Sequence, residues 1–150
     1  MKLLTHVLIT FALGSLIAVV ISRSVLVVGS VFVISFLVNY LIDLLGHSGG
    51  RRTPLTHELF SNLITSLITG LLIHSLLNLP GPLTIALTTS LIASSTHLLL
   101  DSLSGGVFIY SPNGLSRLRL SSRRYDDYLL NTLVITTSVV LLTIILYNLL

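Results

Sequence analysis

Two pairs of residues in this chain have the spacing of metal ligands on a helix. His97 and Asp101 stand four residues apart and share one face of an α-helix, and Asp43 and His47 have the same spacing and share a face if their helix continues through Gly46. Two facing helices that each present an imidazole and a carboxylate one turn apart make a metal cage without any loop. His6, His57 and Glu58 add further donors of the same kind. Imidazole and carboxylate suit zinc, iron or manganese, and the chain has no cysteine to supply sulfur or a disulfide. The hydroxyls of Ser95, Thr96 and Thr56 are placed to orient imidazoles.

The elements that must hold these groups are membrane helices. Of 150 residues 53% are hydrophobic and only 9% charged, where a soluble domain carries roughly a quarter. The mean hydropathy is +1.00. This composition predicts a single all-α domain, a polytopic membrane bundle of about five helices. A spanning helix needs about 20 apolar residues, and the runs are Leu3 to Ser22, Val25 to Leu45, Leu59 to Leu79, Leu83 to Leu103 and Leu129 to Leu150. Lys2 before an apolar stretch resembles a signal peptide, but the run is long and lacks a small-residue cleavage site, so it reads as a retained span. With most of the chain in lipid, nucleic acid is not an expected partner. The sequence says nothing of oligomeric state.

Two connections are polar. One runs from Gly46 to Glu58, past Gly49 and Gly50. The other runs from Ser104 to Tyr128, with turn signals at Gly105-Gly106 and Pro112-Asn113-Gly114. In the second, residues 107–110 and 115–120 read as two short strands or as an interfacial loop. If the loops alternate sides, Lys2, Arg51, Arg52, Arg117, Arg119, Arg123 and Arg124 share one side and Arg23 stands alone on the other. Basic loops stay in the cytoplasm, so the N-terminus is expected there and the C-terminus outside.

On that topology four of the five histidines and all five acidic residues fall at the cytoplasmic end. Singly, each has a plain structural reading. His74, toward the other face, is a lone bundle or interfacial histidine. Glu58 is favourable charge at a helix N-terminus. Asp126 and Asp127 pair with Arg123 and Arg124 or favour the start of the last span. The arginines from 117 to 124 enforce orientation and meet anionic head groups. As a group they are harder to dismiss, because ionisable residues inside a membrane are functional candidates by default. His97 and Asp101 lie within a span and are the centre of that group.

The ordered set of Arg51-Arg52, Thr56-His57, Thr96-His97 with Asp101-Ser102, Gly105-Gly106-Val107 and Pro112 resembles the YdjM-like family of membrane-bound, metal-dependent hydrolases. That family carries a His-Arg-Gly-x-Thr-His motif and a later Ser-His-x-x-x-Asp motif followed by glycine. His6 fits a further histidine that recurs near its N-terminus. The aliphatic composition is most similar to its archaeal members. The family in turn is similar in motif style to zinc-dependent phospholipase C and related nucleases, which implies phosphoester hydrolysis. The chain departs from the pattern where the first histidine of His-Arg-Gly-x-Thr-His is absent and where Leu41 stands at one expected aspartate.

The expected function is a metal-dependent hydrolase at the cytoplasmic membrane face, acting on a lipid-like phosphoester. A divalent metal, zinc by preference, is expected on His57, His97 and Asp101, with His6, Asp43 and His47 as further ligands or a second site. Asp43 or Glu58 takes the proton, and Arg51, Arg52 and Arg123 hold phosphate, since guanidinium matches its oxygens in bidentate fashion. Two alternatives stand beside it: a small proton- or ion-coupled transporter using His and Asp as a relay, and a structural membrane protein with a vestigial site.

Overall fold

A computed structural model of the protein describes residues 1–48, 51–111 and 114–149, without the side chains of residues 48, 51 and 111. Gly49, Gly50, Pro112, Asn113 and Leu150 therefore lie outside the described residues. Five helices are long and apolar enough to cross a membrane: α1 (Leu3–Ser22), α2 (Val25–Gly46), α4 (Leu59–Leu76), α5 (Leu83–Ser104) and α6 (Tyr128–Tyr147). With 75% of the structure helical, the fold is all-α. The remaining elements gather between spans. A two-residue ladder pairs β1 (His47–Ser48) with β2 (Arg51–Arg52), followed by the single turn α3 (Pro54–His57). The hairpin β3 (Val107–Ser111) and β4 (Gly114–Leu118) lies between α5 and α6, so the two-strand reading of that loop is the one found.

The helix ends follow from local chemistry. Arg23 takes a left-handed φ of 41° and, with Ser24, joins α1 to α2 in a tight hairpin. The third span stops at Leu76 rather than Leu79, because Asn78 turns left-handed (φ 47°) ahead of Pro80. The Asp127 carboxylate accepts from the backbone N–H of Leu130 at 2.8 Å and so opens α6 one residue early, at Tyr128.

The helices α1, α2 and α5 form the centre, each touching the other two. The helix α4 packs on α2 and α5, and α6 packs on α1. Large apolar side chains such as Leu26, Phe36, Ile64, Leu91 and Val140 face outward. Small and polar ones, among them Thr10, Ser35, Asn62, Thr89 and Ser90, are buried between helices. Lipid is as apolar as leucine, so apolar side chains gain little by facing inward, and close backbone approach and interhelical hydrogen bonds hold the bundle instead. Ile34, Val38 and Ile42 of α2 pack with Ile73, Ala86 and Ala93 into the main apolar cluster.

Alternating helix directions bring the end of α2, the start of α1 and the end of α5 to one level, with α3 lying across them. Gly46 makes that docking possible. A Cβ at this position would run into the Thr56 hydroxyl and the His57 ring, both fully buried. Gly46→Ala is expected to cost about 1–3 kcal/mol by overpacking. Gly29→Ala, on the same helix with nothing within 4 Å, should be neutral. Unfolding midpoints in detergent compare the two; equal midpoints would show that α3 does not depend on this contact.

Candidate metal centre

The site is built from the ends of four elements. The helix α1 contributes His6, α2 contributes Asp43, α3 contributes His57, and α5 contributes His97 and Asp101. His97 lies seven residues from the end of α5, about 10 Å along the axis. The rings of His6 and His97 stack with centroids 4.0 Å apart, and His57 meets His97 edge-on at 5.6 Å.

Asp101 is the hub. Its Oδ1 accepts from Arg52 Nη2 at 2.7 Å and from the Met1 amino nitrogen at 2.7 Å, and stands 3.3 Å from His6 Nε2. Its Oδ2 stands 3.1 Å from His57 Nε2 and 3.5 Å from His97 Nε2. His97 Nε2 is also 3.5 Å from Asp43 Oδ1. Close as they are, these imidazole contacts lack hydrogen-bond geometry. The Nε2 atoms of His6, His57 and His97 and the Oδ2 of Asp101 are buried without a hydrogen-bond partner among the described residues. One such orphan costs about 1–3 kcal/mol, so four around one point call for a common partner. Two overlapping sets, His6 with His97 and Asp101, and Asp43 with His57 and His97, have ligand atoms within 4.8 Å of one another. Ligands about 2.0–2.2 Å from a zinc ion stand at most about 4.4 Å apart, so small side-chain shifts would bring these atoms onto one ion. The donor set fits a divalent cation.

The protonation pattern fits it too. Asn39 Nδ2 donates to the Ser35 carbonyl at 2.9 Å, and a carbonyl only accepts, so the amide is fixed with Oδ1 toward His97. That oxygen in turn only accepts, so His97 carries its proton on Nδ1, 3.1 Å away, and Nε2 keeps its lone pair. Thr56 spends its proton on the Ile42 carbonyl at 2.6 Å and can only accept from His57 Nδ1, at 3.4 Å. Both rings thereby aim a free lone pair at the centre. Since His97 has one such lone pair, the two overlapping sets meet at one atom and describe one centre. Burial pushes the His57 imidazole below its ordinary range, and the charge of Arg52 acts in the same direction against the pull of Asp101. A neutral ring is the ligating form.

Five of the six expected ligands are brought together. His47 stays at the rim: its Nδ1 bonds the Asp43 carbonyl at 2.8 Å and its ring stands edge-on to His57 at 4.9 Å. Glu58 is buried but caps α4, its Oε2 accepting from Ser61 N at 2.9 Å, and it joins no ligand set among the described residues. Arg52 is held by Asp101 and the Gly106 carbonyl, and the Arg51 side chain lies outside the described residues. Arg123 pairs with Asp127 at 3.2 Å and Arg124 with Asp126 at 3.3 Å, on the exposed loop before α6. His74 is half-buried near the opposite end of α4. Of the hydroxyls expected to orient imidazoles, Thr56 does so, Thr96 bonds the Ile92 carbonyl, and Ser95 faces outward. Asn39 was not anticipated, although it lies four residues before Asp43 and hence on the same helix face.

Above the centre opens a cavity of about 570 Å³, bordered by His47, Arg52, Ser104, Gly105, Arg117 and Tyr125. Asp43, with its side chain 23% exposed, is the one cluster carboxylate that reaches the surface.

A helical membrane bundle that gathers three imidazoles and two carboxylates at one buried end is the class defined by this fold. Residues 1–100 match the family model described as protein of unknown function (DUF1286), and the chain belongs to that family. The match takes in His6, Asp43, His57 and His97 and ends one residue before Asp101. No curated protein and no solved structure matches the chain.

Replacing Asn39 tests the tautomer directly. In Asn39→Leu the His97 ring loses its Nδ1 acceptor, and nitrogen NMR should show the Nδ1–H form giving way to Nε2–H, with about 1–3 kcal/mol of lost stability. Asn39→Asp should keep the Nδ1–H form. An unchanged spectrum in the leucine variant would show that the amide does not set the tautomer.

Proposed function

We propose that the protein is a membrane-embedded, metal-dependent hydrolase of phosphoesters, working at the cytoplasmic face of the membrane. The observation that carries the reading is the set of orphaned imidazole nitrogens and carboxylate oxygen that converge from three elements, with Asp43 of a fourth beside them, near a cavity bordered by Arg52 and Arg117. The resemblance of the His57 and His97–Asp101 motifs to the YdjM-like hydrolases, and through them to zinc-dependent phospholipase C, supplies the reaction class. Lys2, Arg52, Arg117, Arg119, Arg123 and Arg124 flank the end of the bundle that holds the cluster, and Arg23 lies at the other, which supports a cytoplasmic placement.

In this reading His6, His57, His97, Asp43 and Asp101 hold one divalent ion, most plausibly zinc. Bound there, the ion supplies Lewis acidity and a water acidic enough to ionise near neutral pH. The chain's own groups do the rest. Asp43, part-exposed to solvent, accepts a proton from water. Asn39 and Thr56 keep the lone pairs of His97 and His57 directed inward. Arg52 balances the charge of Asp101 and, held in place by it, also limits how far that carboxylate can move. Glu58 takes no part, since its carboxylate caps α4.

The test is the metal content of purified protein together with phosphate release from a soluble phosphomonoester and from a phospholipid. Wild type should hold about one ion per chain, and His97→Ala should lose most of it along with the activity. A wild-type protein that binds no divalent metal would end the proposal.

A further inference from the structure

The turn Gly105–Gly106 links the end of α5 to β3, and two arginines from different elements grip it. Arg52, from β2, donates through Nη1 to the Gly106 carbonyl at 3.3 Å and to the Asp101 carbonyl at 3.2 Å. Arg117, from β4, donates through Nη2 to the Gly105 carbonyl. Both glycines are required. A Cβ on Gly105 would strike the Arg52 guanidinium. On Gly106 (φ 91°) it would lie 3.0 Å from Arg117 Nε, in a backbone conformation that side chains disfavour. The turn therefore places two guanidinium groups beside each other at the border of the 570 Å³ cavity.

Their charges are not cancelled alike. Arg52 is paired with Asp101, but no carboxylate lies within ion-pairing distance of Arg117 among the described residues. Backbone carbonyls satisfy N–H groups without removing the positive charge. The cavity border carries no carboxylate side chain among the described residues, and the part-exposed Asp43 nearby is close to His47 and His97. A pocket of this volume is in the range that takes a small-molecule ligand or head group, and its border carries a surplus cation.

We infer that this turn is the frame of an anion subsite in which Arg117, with Arg52 beside it, receives a phosphate group. Guanidinium suits a phosphate because two parallel N–H donors meet two of its oxygens. The hairpin that carries Arg117 exposes Tyr110, Leu115 and Leu118, and the exposed Leu120, Tyr125 and Tyr128 follow it. Aromatic and apolar side chains among arginines suit the head-group layer of a membrane. The cavity is thus open to a phosphate carried by a lipid as well as to one in solution. The inference rests on the proposed hydrolase only for the fate of the ligand; the subsite itself needs no metal.

The experiment uses the full chain in nanodiscs, before and after chelator treatment. One arm measures equilibrium binding of radiolabelled inorganic phosphate in purely zwitterionic phosphatidylcholine discs. The other counts phosphatidic acid retained from mixed discs by native mass spectrometry. Binding in either arm, weakened about tenfold or more in Arg117→Gln and only partly restored in Arg117→Lys, supports the subsite and identifies its source. Arg124→Gln, exposed and paired with Asp126, is the control and should bind as wild type. No binding in both arms, or equal binding by wild type and Arg117→Gln, overturns it. Phosphate binding that survives the chelator, in a protein that takes up no divalent metal when the ion is added back, would leave the subsite standing and remove the hydrolase.

Discussion

A carboxylate buried near the end of a membrane helix needs compensation from every side it presents, and Asp101 imposes that demand on its surroundings. Ionised and unpaired in a low-dielectric interior it would cost several kcal/mol. It is met by Arg52 on one oxygen and approached by His57 and His97 on the other, with His6 beside them. These partners come from α1, β2, α3 and α5, so the electrostatic need of one side chain dictates how four separate pieces of chain dock. The short ladder of β1 and β2 and the single turn of α3 have little core of their own. They are held by Gly46, by the Thr56–Ile42 hydrogen bond and by the pull of the Asp101 carboxylate.

The polar interior follows the same logic. In lipid the apolar side chains have no preference for the inside, so the contacts that define the bundle are hydrogen bonds and close approaches. The line from His97 through Asn39 to Thr10, and from Thr10 to Thr96, ties α5, α2 and α1 together around the ligand set. It stabilises the bundle and at the same time fixes which imidazole nitrogen faces the centre. The hairpin β3–β4 has the complementary task at the surface. It leaves the buried centre intact and brings the Arg117 cation to the border of the cavity.

Much of the architecture was legible in the chain. Five apolar runs gave the five helices, and the bounds differ most at the Asn78 turn, where α4 stops at Leu76, and at the end of α6, which stops at Tyr147. The i, i+4 spacing of His97 and Asp101 put both on one face, and the alternation of spans put His6, Asp43 and His57 at their level. These are one-dimensional facts, because hydropathy and helical period depend only on order along the chain. Less legible were the partners. Glu58 is a cap because its own backbone turns into α4 at that residue, and Arg123 is bound to a neighbour four residues away. Composition ranks both with Asp43 and Arg52, and only geometry separates them.

What the sequence by itself determined was that this is a five-helix membrane chain with all its acidic residues and most of its histidines and basic residues at one end, since burying them in lipid is too costly. What the tertiary structure decided was which of those groups share a centre, which way their nitrogens point, and which arginine is left with an uncancelled charge. Those depend on angles and distances of a few ångströms between residues as far apart as His6 and Asp101, or Arg52 and Arg117. No spacing along the chain encodes them until the helices pack.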